Sequence, residues 1–182
     1  ENGDSQSNEV SIKKGQAPYN YISYDNLKSL AEGMNAAQNY TTATTKLVGS
    51  YAWDTAINFI QIKTPDYGIT SPQGNYRETE FYYANIGETE KNETKASGNA
   101  ILVPTGQTTA VSNIYDMGGN LQEYTIEKSP IQSYAAAFYP YINCGGNFGG
   151  PSNRFPAGNR NRYSDGSIGN EWSGFRIALY VN

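Results

Sequence analysis

The chain has 182 residues, and 17 acidic residues against 13 lysines and arginines give it a formal net charge of -4. This length fits one domain with its own core, and a basic run no longer than Lys13 and Lys14 argues against a nucleic-acid partner. The absence of histidine excludes Ser-His-Asp triads and histidine-based zinc or iron sites, and no apolar stretch reaches the ~20 residues needed to cross a bilayer.

The chain opens with residues 1–16, which are mostly Ser, Asn, Gly, Lys and Glu and offer little to bury. We predict a flexible leader or linker there, followed by a single domain over residues 17–182. Asp25 and Asn26 can cap a first helix, which is expected to end near Asn35. Its apolar residues recur at helical spacing, namely Leu27, Leu30, Ala31 and Met34.

After a Thr-rich connection over residues 40–50, the stretch 51–62 repeats this spacing with Trp53, Ala56, Ile57 and Ile60. It therefore predicts a second helix. Residues 63–97 mix Pro, Gly, Thr and Glu with aromatic residues, which indicates loops around one or two strands. A strand running into a turn is expected over residues 100–106, and the alternation in residues 174–181 predicts a final strand. Helices followed by short strands and long irregular segments indicate an α+β domain.

Cys144 is the only cysteine, so the chain cannot form an intrachain disulfide. We interpret it as a small buried hydrophobic residue beside Gly145 and Gly146. The same count removes any thiolate cage for a metal ion within this chain.

Five short motifs occur in a characteristic order: PYNYISYDNLKSLAEGM, SYAWDTAINF, NIYDMGGNLQEYT, CGGNF and GFRIALY. This series resembles the formylglycine-generating-enzyme superfamily of C-type-lectin-like folds, over roughly residues 17–181. The resemblance implies a C-type-lectin-like α+β fold with two N-terminal helices, short antiparallel strands and a high loop content.

The resemblance does not extend to the chemistry of the enzymes. Formylglycine-generating enzymes use two cysteines between the Gly-Gly and Gly-Phe-Arg motifs, and this chain has none between Gly146 and Gly174. Sulfoxide-forming relatives use histidines for iron, which are also absent. We therefore expect no enzyme activity and no required cofactor. An oxidase that uses Cys144 alone is the least favoured alternative.

The chain also resembles the variable proteins of diversity-generating retroelements, in which the region before Gly-Phe-Arg binds ligand. The resemblance implies a variable Gly/Asn/aromatic surface between Gly145 and Arg176. Its candidate ligand-binding residues are Asn147, Phe148, Ser152, Asn153, Arg154, Phe155, Asn159, Arg160, Asn161, Tyr163, Asp165 and Trp172. Aromatic, Ser and Asn side chains also dominate antibody paratopes, whereas the alternative is that Gly, Asn and Pro simply build surface turns. Trp172 also fits a core position.

From this surface we expect a receptor-like or adhesin-like module, outside the cell, on a cell surface or on a phage particle. Its partner would be a protein or glycan on another cell or particle, with no nucleic acid and no membrane insertion. The alternative is a structural or assembly domain of a surface or phage appendage.

The loop 113–125 resembles a calcium site of the enzyme branch. That resemblance places the ligands on the Asp116 side chain, the carbonyls of Gly119 and Leu121, and the Glu123 carboxylate. All are oxygen donors, as Ca²⁺ prefers. The alternative is a tight turn in which Glu123 pairs with Arg176. In the Gly-Phe-Arg motif, we expect this arginine to stabilise the fold through such a bidentate pair.

Overall fold

The computed structural model describes residues 10–70, 73–107, 113–129, 140–162 and 166–181. Within these ranges the chain forms two helices and eight strands in a mixed order, as α+β folds do. In chain order they are α1 (Tyr24–Ala37), β1 (Ala43–Leu47), α2 (Ser50–Gln61), β2 (Phe81–Tyr83), β3 (Glu93–Lys95), β4 (Gln122–Lys128), β5 (Tyr141–Cys144), β6 (Arg160–Asn161), β7 (Ser173–Phe175) and β8 (Ile177–Val181). No helix among the described residues is long and apolar enough to cross a membrane.

Both predicted helices are present, with small shifts at their ends. Helix α1 is capped by the Ser23 side chain, which accepts a hydrogen bond from the Asn26 backbone N–H at 3.4 Å, while the predicted cap Asp25 lies in the first turn. Its buried residues are Tyr24, Leu27, Ala31 and Met34. Helix α2 buries Trp53, Ile57 and Ile60, which recur at helical spacing.

Three small sheets form the rest of the framework. Strand β1 pairs antiparallel with β8, β2 pairs with β3, and the largest sheet has the order β6-β5-β4-β7. In that sheet β4 is antiparallel to β5 and parallel to β7, which places Glu123 opposite Gly174. The loop before β4 and the Gly-Phe-Arg motif therefore meet at one place.

Two strand predictions need correction. The Thr-rich connection contains β1, because its β-branched residues find a partner in β8, where Thr45 pairs with Leu179. No strand forms over residues 100–106. There the Asn120 side chain donates to the Val103 carbonyl and accepts from the Val103 N–H, both at 3.0 Å. A side chain thus satisfies the backbone groups that a neighbouring strand would have paired.

Part of the predicted leader contacts the domain. The Gly15 N–H donates to the Thr105 carbonyl at 2.9 Å, and the Thr105 N–H donates to the Gln16 carbonyl at 2.8 Å. The Thr105 hydroxyl also donates to the Lys13 carbonyl at 2.8 Å. The hydrogen-bonded structure therefore begins a few residues before the predicted domain boundary at residue 17.

Two apolar clusters fill the interior. One contains Val48, Trp53, Ile57, Ile60, Tyr67, Met117, Ile142, Cys144 and Ala157. The other contains Ile22, Tyr24, Leu27, Ala31, Leu47 and Tyr124. Each helix thus packs its apolar face against strands of the sheets, and β4 and β5 contribute to both the framework and the core.

Candidate ligand-binding surface

The segment that follows β5 is folded tightly on itself at Gly146. A Cβ atom at this position would overlap the carbonyl oxygen of Phe155 and would lie 2.7 Å from the Tyr76 ring. No residue larger than glycine fits this approach without moving the backbone. The Gly-Gly motif therefore fixes where the following loop returns to the domain.

Backbone hydrogen bonds hold the loop 147–159 in a series of turns. Inside the loop, the Phe155 N–H donates to the Pro151 carbonyl at 3.0 Å and the Asn159 N–H to the Pro156 carbonyl at 2.9 Å. Outside contacts hold both ends, since the Phe148 N–H donates to Asn120 at 2.9 Å and the Gly158 N–H to Gly68 at 3.0 Å. The loop is therefore a fixed part of the domain although it contains no helix or strand.

The middle of this loop, residues 152–155, contains the two exposed residues of the loop, and we refer to it as the exposed corner. Asn153 and Arg154 are exposed, while Ser152 and Phe155 are half-buried. The Arg154 guanidinium lies over the Phe155 ring, 5.2 Å from its centroid. This contact orients the arginine above an aromatic surface.

Phe148 does not belong to an exposed surface, which corrects its assignment as a ligand anchor. Its side chain is only 8% exposed and packs against Trp172 with 4.7 Å between ring centroids. The half-buried Trp172 ring lies where a Cβ atom of Gly149 would be, so Gly149 makes room for it. Phe148 and Trp172 therefore pack the loop onto the domain.

The Asn147 side chain also supports the loop. Its amide oxygen accepts from the Gly149 N–H at 3.0 Å, and its amide nitrogen donates to the Gln122 side chain at 3.4 Å. Because both ends of the amide bind neighbouring protein groups, Asn147 holds the loop to β4, and its contact with a ligand stays a prediction.

Arg160 bridges two other elements. Its guanidinium donates to Asp54 of α2 at 2.6 Å and to Glu127 of β4 at 3.1 Å. Burial alone would lower the pKa of Arg160, but the hydrogen bonds to these two carboxylates raise it above its ordinary value. Arg160 therefore joins α2 to β4 while it remains exposed, and its role as a polar ligand contact stays a prediction.

Asn159 and Asn161 also contribute to the framework. The Asn159 carbonyl accepts from the Gly145 N–H at 3.0 Å, and Asn161 pairs with Asn143 where β6 meets β5. Two further candidates, Tyr163 and Asp165, lie outside the described residues.

A cleft that the sequence analysis missed lies beside the exposed corner. It has a volume of about 300 Å³ and is lined by Arg77, Glu78, Ser97, Gly98, Gly149 and Pro151. The Arg77 N–H donates to the Gly150 carbonyl at 3.2 Å, and the Glu78 carboxylate accepts from the Ser152 N–H at 2.5 Å. No periodicity or motif links these distant segments, so no sequence pattern predicts the cleft.

The wall of this cleft is fixed by Lys95, whose side chain is fully buried. Its ammonium donates to the carbonyls of Tyr76 at 2.8 Å, Thr79 at 2.5 Å and Asn99 at 3.2 Å. Burial lowers the pKa of Lys95 below its ordinary value. Since Tyr76 and Thr79 flank Arg77 and Glu78 in sequence, these bonds hold the cleft residues in place.

The loop before β4 is arranged around Arg176. Its guanidinium donates to both carboxylate oxygens of Glu123, each at 2.9 Å, and to the carbonyls of Tyr115 at 3.1 Å and Asp116 at 3.3 Å. Burial alone would lower the pKa of Arg176, but the Glu123 charge raises it. The alternative of a turn closed by the Glu123–Arg176 pair is therefore the arrangement found.

These contacts bear on the predicted calcium ligands Asp116, Gly119, Leu121 and Glu123. Both oxygens of Glu123 are taken by Arg176, and an Asp116 carboxylate oxygen accepts from the Gly106 N–H at 2.5 Å. The described residues hold no group of three or more acidic, Cys or His side chains suited to a metal. The donor set fits a guanidinium better than Ca²⁺, and the calcium site expected from the sequence awaits a chelation test.

Cys144 lies in the apolar cluster around Trp53 and is fully buried. Burial raises the pKa of its thiol to about 12. A thiol with such a pKa is protonated at neutral pH, whereas the thiolate is the form that attacks substrates or binds metals. Its position agrees with the interpretation of Cys144 as a small hydrophobic residue.

No protein-family model and no curated protein matches this chain. Among solved structures, CarF has a TM-score of 0.61 at 15% identity, covering 92% of this chain and 69% of CarF. Treponema denticola variable protein 1 has a TM-score of 0.61 at 13% identity, covering 100% of this chain and 76% of that protein. PvdO from Pseudomonas aeruginosa has a TM-score of 0.56 at 19% identity, covering 99% of this chain and 70% of PvdO.

At these identities the similarity shows the fold alone. The chain therefore has the C-type-lectin-like fold that its motifs predicted. One structure with this fold is a variable protein by name.

Proposed function

We propose that this C-type-lectin-like domain is a non-catalytic ligand-binding module whose binding surface centres on the exposed corner, residues 152–155. The proposal rests on a contrast between backbone and side chains in the loop 147–159. Its backbone is held by turns and by outside hydrogen bonds, while Asn153 and Arg154 remain exposed.

This contrast is what a preformed binding surface requires. Binding costs less free energy when the loop that contacts the ligand is already ordered. Asn153 and Ser152 supply adaptable hydrogen bonds, and Phe155 supplies a rigid aromatic face, a combination that is typical of paratopes. Four of the ligand-binding candidates named from the sequence thus lie side by side in residues 152–155.

The similarity to Treponema denticola variable protein 1 supports a variable surface, because that similarity extends over the whole chain. In our proposal Asn153 and Arg154 vary between related proteins, while Phe148, Gly149 and Trp172 stay constant to hold the loop. The ligand would be a protein or a glycan on another cell or particle, and the module would act outside the cell or on a phage particle. The buried thiol of Cys144 supports a role without catalysis.

A second candidate is an assembly domain, and the outer face of α2 favours it. Tyr51 is 91% exposed and Phe59 is 48% exposed, and Ile62, just after the helix, is 75% exposed. Phe59 and Ile62 are three residues apart, and Tyr51 lies eight residues, about two turns, before Phe59, so these side chains form an apolar stripe on one face of the helix. Analytical sedimentation of the wild type and of the Tyr51→Ser/Ile62→Ser variant tests this candidate. An oligomeric wild type and a monomeric variant would support assembly. If both proteins are monomeric, the result opposes it.

A selection experiment tests the main proposal. A random-peptide display library and a glycan array are probed with the wild-type domain, and the ligands found are measured against Asn153→Ala/Arg154→Ala. We expect at least tenfold weaker binding with an unchanged melting temperature, because these side chains are exposed. The matched control is Lys28→Ala/Glu32→Ala, which removes an exposed pair on α1 and should leave binding unchanged. Ligands that bind the corner variant as well as the wild type would contradict the proposal.

A further inference from the structure

We propose that the cleft beside the exposed corner extends the binding surface and selects acidic peptide segments, with Arg77 and Arg154 pairing with a ligand carboxylate. This inference rests on the proposed ligand-binding function. It adds Arg77 and Glu78, which lie in a part of the chain far from the Gly-Gly and Gly-Phe-Arg motifs.

Arg77 is held in position while its charge stays available. Its N–H donates to Gly150 at 3.2 Å, its carbonyl accepts from the Gly98 N–H at 2.8 Å, and its Nε donates to the Gly98 carbonyl at 3.3 Å. The residue is exposed, and its two terminal nitrogens have no partner among the described residues. An oriented guanidinium of this kind suits the planar, two-oxygen geometry of a carboxylate.

Arg154 lies next to this cleft, in the exposed corner. Its N–H donates to the carbonyl of Pro151 at 3.2 Å, and Pro151 lines the cleft together with Arg77. Its guanidinium lies on Phe155 and has no carboxylate partner within the described ranges. The backbone N–H groups of the two arginines therefore bind adjacent residues, Gly150 and Pro151. One contact orients each side chain, the Gly98 carbonyl for Arg77 and the Phe155 ring for Arg154.

Glu78 favours a peptide over a simple polyanion. Its carboxylate accepts from the Ser152 N–H, so it already binds one backbone amide, and a carboxylate has further acceptor sites for a second. A ligand with both carboxylates and backbone N–H groups complements this mixture. A sulfated glycan or a nucleic acid carries negative charge but no peptide N–H groups for the remaining acceptor sites of Glu78.

Lys95 acts as a positioning residue for this cleft. Its buried ammonium binds the carbonyls of Tyr76 and Thr79, on either side of Arg77 and Glu78, and it also binds the carbonyl of Asn99 next to Gly98. One side chain thereby joins the two backbone segments that orient Arg77.

The test uses the peptides selected on the wild-type domain. We expect them to be enriched in Asp and Glu, and each acidic peptide is compared with its Asp→Asn, Glu→Gln counterpart by titration calorimetry. The acidic form should bind at least tenfold more tightly. Arg77→Gln should reduce this preference, and Arg77→Gln/Arg154→Gln should abolish it. The charge-matched control, Lys28→Gln/Lys63→Gln, changes two exposed lysines elsewhere and should retain it.

Two results would overturn this inference. In the first, peptide binding depends on Asn153 and Arg154, but the affinity is unchanged by Arg77→Gln and by removal of the peptide's own carboxylates. This result would leave the proposed function intact and refute the acidic specificity. Equal binding of a sulfated oligosaccharide at the same cleft, lost in the Arg77→Gln variant, would refute the peptide assignment. If the proposed function itself were wrong, the result would differ from both of these, because no ligand would then lose affinity when the exposed corner is substituted.

Discussion

The guanidinium of Arg176 and the carboxylate of Glu123 form two parallel hydrogen bonds, each 2.9 Å long. The pair joins β4 to the Gly-Phe-Arg motif, at the point where β4 and β7 run side by side. The same guanidinium also binds the carbonyls of Tyr115 and Asp116 in the loop before β4. One side chain therefore satisfies four oxygens, two on β4 and two in that loop.

We expect Arg176→Met to destabilise the domain by about 3–5 kcal/mol, because it leaves the largely buried Glu123 carboxylate without its partner. Arg176→Lys keeps the charge but not the planar fork, so its loss should be smaller. Urea unfolding followed by circular dichroism measures both. A loss below about 1 kcal/mol for the methionine variant would show that the pair contributes little.

Chelation should leave the melting temperature of the domain unchanged, since the oxygens of Glu123 are already bound to Arg176. Ligand binding to the folded state raises stability, so a bound Ca²⁺ would appear as a higher melting temperature in millimolar calcium than in chelator. Such a difference, lost in Glu123→Ala, would instead establish the calcium site predicted from Asp116, Gly119, Leu121 and Glu123.

Lys95→Met should lower the free energy of unfolding by at least about 2 kcal/mol, because it leaves buried carbonyls without a hydrogen-bond donor. The control is Lys46→Met, at an exposed position of β1, which should change stability by less than about 0.5 kcal/mol. Denaturant titration of both variants gives the comparison. Equal effects would mean that the Lys95 bonds do not hold the cleft wall.

Phe148 and the exposed corner should differ sharply in their effect on stability. Phe148→Ala removes a buried aromatic ring and should lower the free energy of unfolding by about 3–5 kcal/mol. Asn153→Ala/Arg154→Ala should change the free energy of unfolding by less than about 0.5 kcal/mol. Thermal and urea unfolding measure both. If Phe148→Ala proved as mild as the corner variant, the separation into supporting and binding residues would be wrong.

Glu78 predicts a pH effect on the cleft. Burial alone would raise its pKa, but hydrogen bonds from Ser152 outweigh burial and lower it. Because the folded pKa lies below the unfolded one, the bond contributes stability above the unfolded pKa and loses it as pH falls through the folded pKa. The Ser152 amide resonance should titrate below about 4.3, the ordinary value for glutamate. Glu78→Gln should remove this titration, and a midpoint above 4.3 would contradict it.

Much of the framework could be predicted from the sequence. The two helices follow from apolar residues at helical spacing, since such a pattern can bury only one face of a helix. The order of the five motifs predicted the C-type-lectin-like fold, and the Gly-Phe-Arg motif predicted the pairing of Arg176. Each helix pattern and each single motif can be read from a short stretch of chain.

The remaining features depend on contacts between distant residues. Strand β1 was missed because a Thr-rich stretch becomes a strand only when β8 lies beside it. The expected strand at residues 100–106 was replaced by bonds to Asn120, which no local pattern reveals. For the same reason the sequence placed Phe148 among the ligand contacts and did not bring Arg77 next to Gly150.

The sequences of close relatives test the central claim most directly. If the exposed corner is a variable binding surface on a constant support, differences between relatives should concentrate at Asn153, Arg154 and their exposed neighbours. Gly146, Phe148, Gly149 and Trp172 should remain unchanged, because they hold the loop. Differences spread evenly over exposed positions of the whole domain, with Asn153 and Arg154 no more variable than Lys28 or Lys63, would contradict the account.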